Sequence, residues 1–585
     1  MTATTTPQAL VRPARQFIPE TLILTAWADV SAFFDDLQNR PIQSASDLRR
    51  WLHHRSELES YLSEEFAWRY IRSTCNTAGE DLTKALNFFI TDIQPQLADA
   101  GNALDERTIA SPFLAELTNP AQPEGRACAV MIRGMQKAIE IFREENIPLL
   151  TDLQTEERQY GAIVGGMTVS ILGQELTLPQ AADRLLLPDR PAREEAWRKI
   201  WERRYQAHNQ LDTLFDTLVR LRHQVAQNAG FANFRDYSFA ALGRFDYTPA
   251  DCFRFHESVA AAVVPMLNKL AEDRKQRLGV AALRPWDNAV DPDNLPPLKP
   301  FGTGAELLEK TTVCFDRLSS TLGNYLRIMR TMGHFDLESR KAKAPGGYNY
   351  PLEEIGVPFI FMNATSSLRD LVTMVHEGGH AVHSFLTRQL PLKAFRNPPM
   401  EVAELASMAM ELLSMEHWDV FFENSADLRR AKIQHLEQII ETLPWIATID
   451  KFQHWIYENP AHSHAQRREA WVQIYEQFTD TLTDWSSLAY YKEIGWQRQL
   501  HLFEVPFYYI EYGIAQLGAI GIWRNYRQNP EAGLQGYLNA LSLGYQAPIS
   551  EIYEAANVPF DFSTETIREL IGFVWDELVI LQHEK

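Results

Sequence analysis

The sequence predicts a mainly α-helical protein, on three observations. Apolar residues recur at intervals of three and four over long segments, strand-like runs are few, and two proline-rich stretches punctuate the chain. In the clearest helical segment Leu211, Leu214, Phe215, Leu218 and Leu221 line one face, with Asp and Arg between them. Segments 250–275 and 425–446 carry the same period, and 565–582 does so less cleanly. Only Ala162–Leu172 and Val357–Met362 read as strands.

The chain has 585 residues, 45% hydrophobic and 23% charged, an ordinary globular composition. At roughly 150 residues per domain this length allows about four domain-sized units. Acidic residues outnumber basic ones by 76 to 56, a net charge of −20, which argues against a nucleic-acid partner. Cys75, Cys128, Cys252 and Cys314 show no CxxC spacing. They read as small buried hydrophobes, not as a disulfide framework or a cysteine-based zinc site. The first twenty residues lack the apolar core of a secretory signal, and no run approaches the ~20 apolar residues of a membrane span. The expected location is the cytoplasm, with no membrane partner. No repeat or low-complexity tract is present.

Residues 1–20, rich in Thr and Pro, read as a disordered or draped tail. Residues 21–200 are expected to form an N-terminal helical region, and 201–585 a second region that carries the chemistry. Leu187-Pro188-Asp189-Arg190-Pro191 separates a strand-like stretch from a charged helix starting near Ala192. Pro285–Pro300 holds five prolines and cannot be continuous helix. It reads as a long surface excursion anchored by Trp286 and Leu295, which favour burial.

The sharpest chemical signal is His376-Glu377-Gly378-Gly379-His380. Residues four apart share a helix face, so both imidazoles can converge on one metal ion, with Glu377 beside them to take a proton from water. A chain of this size holds about 0.03 such matches by chance. The context supports one helix: Leu371, Val372, Met374, Val375, Ala381, Val382, Phe385 and Leu386 flank the motif, Ser366 or Ser367 can cap it with Asp370, and Pro391 follows its end. Two glycines inside a helix cost about 1 kcal/mol each, which points to close approach of another helix or of substrate. Zinc hydrolase sites take three protein ligands and leave a position open. Candidates for the third ligand lie after the turn at Asn397-Pro398-Pro399, where Glu401, Glu404 and Glu411 all fit.

Later in the chain, Tyr508 and Tyr512 are four apart in His501-Leu502-Phe503-Glu504-Val505-Pro506-Phe507-Tyr508-Tyr509-Ile510-Glu511-Tyr512. Pro506 suits the first turn of a helix that starts there. Phe507, Ile510, Ile514 and Leu517 fit its core side, while Gly513, Gly518 and Gly521 suit close helix packing. Val357–Met362 is expected at a sheet edge, where Pro358 is tolerated and a peptide can pair. Gly346-Gly347-Tyr348 reads as a mobile loop or a plain turn.

His376–His380 followed by Ala381-Val382-His383, then Ala403-Glu404-Leu405-Ala406-Ser407 and Glu411, resembles the M3 family of zinc oligopeptidases, in its oligoendopeptidase F branch. Gly230–Tyr237, Leu283–Asp287, Ala344–Tyr348, Pro358–Asn363 and His501–Gly518 resemble family blocks too, so the likeness spans roughly residues 160–585. It implies a two-lobed helical body with the zinc helix, a small β-sheet at the active site and a deep substrate channel. It implies one zinc ion per chain held by His376, His380 and Glu404, with Glu411 supporting a histidine. Glu377 is then the general base acting on zinc-activated water, and His501, Tyr508 and Tyr512 contact substrate or the oxyanion, Tyr509 being a further candidate. Many members carry a bulky residue where this chain has Gly378, which implies extra space beside the metal. The expected activity is cleavage of internal bonds in short, unfolded oligopeptides. The alternatives are an exopeptidase releasing C-terminal dipeptides, which needs a cationic group for the terminal carboxylate, and a peptide-binding protein without catalysis. The sequence carries no signal for oligomeric state.

Overall fold

The structure, a computed structural model, describes residues 8–122 and 124–584. Helices dominate, as expected, and the described residues hold five short strands: β1 (Thr168–Ile171), β2 (Gln174–Thr177), β3 (Phe335–Glu338), β4 (Tyr348–Tyr350) and β5 (Phe359–Ala364). The chain forms two compact units, each assembled from three separate stretches. The first comprises the chain up to Glu140, Lys299–Ala431 and Gly518–Phe560; the second comprises Ile141–Leu298, Lys432–Leu517 and the chain from Asp561 on. The division expected near residue 200 falls within one continuous helix, Arg190–Asn228.

In the first unit the N-terminal helices pack around Leu37, Leu48, Trp51, Leu58, Ile93 and Leu104, all nearly inaccessible. The Trp51 indole N–H donates to the Leu37 carbonyl at 2.8 Å, which satisfies its one polar atom inside that core. Ile18 is buried and Arg15 pairs with Glu354 at 2.5 Å, so residues 8–20 lie against the unit. Residues 1–7 of the expected tail lie outside the described residues.

The same unit holds a three-stranded sheet ordered β3-β5-β4, with β3 parallel and β4 antiparallel to β5. The run Val357–Met362 therefore supplies the middle strand and not an edge. Both its sides are already paired, and Pro358 sits just outside the ladder, where a missing N–H costs nothing. Tyr348 pairs with Phe361 and stacks on its ring at 4.8 Å, while its hydroxyl meets Thr74 Oγ1 at 2.6 Å. Asn363 Nδ2 donates to the carbonyls of Ala344 and Gly346, both at 2.8 Å, so the glycine segment ahead of β4 is tethered.

In the second unit the run Ala162–Leu172 is only half strand. Ala162–Gly165 completes the helix Asn146–Gly165, Gly165-Gly166 stops it, and β1 then turns through Leu172 and Gly173, both at positive φ, into β2. The segment 250–275 splits into helices Pro249–Ala262 and Val264–Leu278, because Pro265 has no N–H to donate and crowds the preceding turn. The third periodic segment belongs to a longer helix, Ser425–Glu458, which accommodates Pro444. The fourth is Thr564–His583.

Pro285–Pro300 contains a single helical turn, Pro285–Asp287, and is otherwise irregular. Trp286 is buried edge-on to Trp197 at 5.7 Å, as expected. Leu295 stays exposed, and Leu298 takes the buried place instead. Asp287, fully buried, accepts from Arg190 at 2.7 Å, from Arg193 at 2.9 Å and from the Arg284 backbone at 2.9 Å. Those bonds tie the excursion to the start of helix Arg190–Asn228.

Candidate metal centre

The His376–His380 motif lies on the helix Leu368–Thr387. Of the two candidate caps, Ser367 is used: its hydroxyl accepts the Asp370 N–H at 3.2 Å, and the Asp370 carboxylate accepts the Ser367 N–H at 2.9 Å. This reciprocal cap fixes where the helix begins and hence which face His376 and His380 share. After a turn through Lys393–Arg396, helix Met400–Met415 returns across it.

The glycine pair is explained by that crossing. A Cβ on Gly379 would lie 2.5 Å from the Ala406 carbonyl oxygen and 2.7 Å from Ser407 Cα, so only glycine admits the returning backbone. A Cβ on Gly378 would lie 2.6 Å from the Phe315 ring. The space implied beside the metal by Gly378 is thus filled by Phe315.

The crossing brings His376, His380 and Glu404 together, with one ligand atom of each within 4.8 Å of the others. Glu404 Oε2 lies 3.3 Å from His376 Nε2 and 3.9 Å from His380 Nε2. With metal–ligand arms of about 2.0–2.1 Å, a tetrahedral site has edges of roughly 3.4 Å, so the donor set fits a divalent ion after small adjustment. Glu401 and Glu411 are outside this group. Glu411 Oε1 instead meets His376 Nδ1 at 2.7 Å, which leaves Nε2 facing Glu404. Ser407 Oγ donates to Glu404 Oε2 at 3.0 Å and orients the carboxylate from within its own helix.

Electrostatics matches ligand chemistry at His380 but opposes it at His376. Burial pushes His380 down to about 4 and His383 down to about 3, keeping both imidazoles neutral. At His376 burial acts in the same direction, but the bonds to Glu404 and Glu411 outweigh it and raise it well above the ordinary range. Glu377, 7% exposed, is lifted to about 7, chiefly by burial, with His376 opposing and Glu404 reinforcing. Its backbone carbonyl accepts from Asn349 Nδ2 of β4 at 3.1 Å, which joins the sheet to the motif helix.

His501, Tyr508, Tyr509 and Tyr512 belong to the second unit and form a cluster of their own. The His501 ring lies 5.9 Å from Tyr508, 4.8 Å from Tyr509 and 6.0 Å from Tyr512, and Tyr508 meets Tyr512 at 5.1 Å. The helix here starts at Tyr509 and not at Pro506, because Phe507 has φ 66°, a left-handed value no helix accommodates. That strained residue is held on both sides. Its N–H donates to Gln453 Oε1 at 2.6 Å, and its carbonyl accepts from Arg244, which also bonds Glu511 at 2.8 Å. His501 sits on the short helix Leu500–Glu504, whose Leu502 carbonyl accepts from the buried Arg222 at 3.1 Å.

The tautomer of His501 follows from its neighbours. The Trp445 indole can only donate, and it does so to Gln499 Oε1 at 3.1 Å, so the Gln499 amide nitrogen faces His501 Nδ1 at 2.7 Å. Nδ1 accepts, and the ring proton resides on Nε2.

Asn349, Ser407, Gln453, Arg244 and Gln499 escape the sequence reading. Ser407 alone had a local signal, its place one turn after Glu404; the rest act across the fold, where no spacing rule reaches. A cavity of about 640 Å³ in the first unit, lined by Arg15, His54, Glu354 and Arg396 among others, includes none of the metal-centre residues.

A sequence profile of Peptidase family M3 matches residues 185–570, and one of the Peptidase M3 N-terminal domain matches residues 22–125. The chain belongs to peptidase family M3, a family of metallopeptidases. It is 22% identical over 376 residues to an oligoendopeptidase F homolog of Lactococcus lactis subsp. lactis, a match covering 64% of this chain and 61% of that protein. It thus spans less than two thirds of that relative's length. An oligopeptidase, PepF, of Bacillus subtilis is 25% identical over 38% of this chain and 33% of its own length. Among solved structures, PZ peptidase A with an inhibitor superposes with a TM-score of 0.86 at 27% identity, over 95% of this chain and 97% of that one. An oligoendopeptidase F structure gives 0.85 at 26%, over 96% and 98%.

Proposed function

We propose that this protein is a zinc metallo-endopeptidase hydrolysing internal peptide bonds of short, unfolded oligopeptides. The observation that carries the reading is the convergence of His376, His380 and Glu404 with Glu377 buried beside them. His376 Nε2, His380 Nε2 and the Glu404 carboxylate would hold the ion. Zinc bound there supplies Lewis acidity for the scissile carbonyl and for the attacking water.

Glu377 is the general base. Its carboxyl, lifted to about 7, accepts a proton from water near neutral pH and returns it to the leaving amine nitrogen. Glu411, through His376 Nδ1, fixes the imidazole orientation that turns Nε2 toward the site. The family resemblance assigns contacts with substrate or the oxyanion to His501, Tyr508 and Tyr512. The oligoendopeptidase F relatives support peptides as substrates.

The test is Glu377→Gln, which keeps the ligand set and removes the base. Metal content should match wild type while kcat falls by about 10²–10⁴-fold. Turnover at wild-type rate would remove Glu377 from the mechanism.

A further inference from the structure

The second unit contains a group of metal-ligand residues separate from the His376 centre. Cys252 and His256 are four apart on helix Pro249–Ala262, and Asp450 and His454 are four apart on helix Ser425–Glu458. Each pair therefore occupies one face of its helix. One ligand atom each from Cys252, Asp450 and His454 lie within 4.8 Å of one another. All four side chains are buried: Asp450 is 0% exposed, and Cys252, His256 and His454 are 1% exposed each.

The polar bookkeeping of this group is incomplete within the protein. Asp450 Oδ2 meets His256 Nε2 at 2.8 Å, whereas Asp450 Oδ1 has no hydrogen-bond partner. His454 Nε2 lies 3.4 Å from Oδ2 outside hydrogen-bond alignment, and neither ring nitrogen of His454 is hydrogen-bonded. Among the described residues no Lys or Arg pairs with Asp450. A fully buried carboxylate is costly unless it is paired with a cation or coordinates a metal. Phe253, Phe239 and Phe507 surround His454 at ring distances of 4.7, 6.1 and 5.4 Å, which keeps the group dry.

We propose that Cys252, Asp450 and His454 bind a second, structural divalent metal ion, with His256 orienting the Asp450 carboxylate. The donor set of one thiolate, one carboxylate and one imidazole suits zinc. The 3.4 Å separation of Asp450 Oδ2 and His454 Nε2 equals the edge of a tetrahedron with arms of about 2.0–2.1 Å. Binding releases the Cys252 thiol proton to solvent, and the thiolate and carboxylate then neutralise the dication, leaving no net buried charge. The expectation that the cysteines take no part in metal binding considered CxxC pairs alone. A single cysteine completed by residues some two hundred positions away gives no such spacing.

The test is metal counting on the full chain. Protein produced in zinc-supplemented medium should carry two zinc ions per chain by elemental analysis. The His376→Ala/His380→Ala variant should carry one, and a further Cys252→Ser/Asp450→Asn change should remove it. Wild-type protein produced with cobalt(II) should show a near-ultraviolet thiolate-to-cobalt charge-transfer band, absent from Cys252→Ser. The His376 centre has no cysteine and cannot give that band. A metal-free His376→Ala/His380→Ala variant together with a wild-type cobalt protein lacking the band would overturn the proposal, whether or not the Cys252 variants fold.

Discussion

Glu411 lies outside the metal-ligand group, yet its 2.7 Å contact with His376 Nδ1 decides which ring nitrogen faces Glu404. Ser407 orients the Glu404 carboxylate in a similar way, from one turn along the same helix. Partners of this kind typically contribute 10–100-fold in metal affinity. Glu411→Gln keeps the shape and loses the charge, so zinc affinity measured by competition with a chelator should fall by about that factor, with the fold intact. Unchanged affinity would mean that His376 is oriented by helix packing alone. At this scale the sequence was informative where a rule of spacing applies. His376 and His380 follow from helical periodicity, whereas spacing alone left Glu401, Glu404 and Glu411 equivalent. What separates them is the angle at which helix Met400–Met415 crosses, a tertiary quantity.

Two helices meet at the candidate metal centre because Gly379 lets them. Replacing it by alanine gains about 1 kcal/mol of helix propensity. The added Cβ, however, overlaps the Ala406 and Ser407 backbone, and overpacking of this kind costs about 1–3 kcal/mol. The second effect wins because backbone cannot swing aside as a flexible side chain does. Gly379→Ala should lower Tm and weaken zinc binding together, since the displaced helix carries Glu404. A raised Tm with normal zinc affinity would contradict the packing account. The sequence showed that the glycine pair needed a close neighbour, and it could not say that the neighbour was the ligand-bearing helix. Nor could it foresee β5 as a central strand, because pairing partners β3 and β4 declare themselves only in three dimensions. The helix starting at Tyr509 is a similar case: the left-handed Phe507 is imposed by Gln453 and Arg244, residues remote in sequence.

In the whole molecule, the two-unit organisation was the least legible feature, since each unit gathers three separated stretches. Local periodicity locates helices but says nothing of which helices share a core. Within the second unit, the buried Asp287 with Arg190 and Arg193 ties an irregular excursion to the longest helix. Burial works against its charge, but the two arginines prevail and hold its carboxyl below the ordinary range. A group depressed in the folded state contributes stability above its unfolded pKa of about 3.9 and loses it as pH falls through the folded value. Asp287→Asn should therefore cost about 3 kcal/mol near neutral pH, where it strands a buried arginine. Chemical denaturation at several pH values should show the gap to wild type closing below the carboxylate range. A gap independent of pH would assign the loss to packing and not to charge.

The central claim, a metal-dependent endopeptidase built on His376, His380, Glu404 and Glu377, is tested most directly with an internally quenched peptide blocked at both ends. Cleavage at internal bonds is expected, abolished by a chelator and restored by added zinc. Cleavage that survives chelation, or zinc-loaded protein that cleaves no member of a mixed pool of blocked peptides, would contradict it.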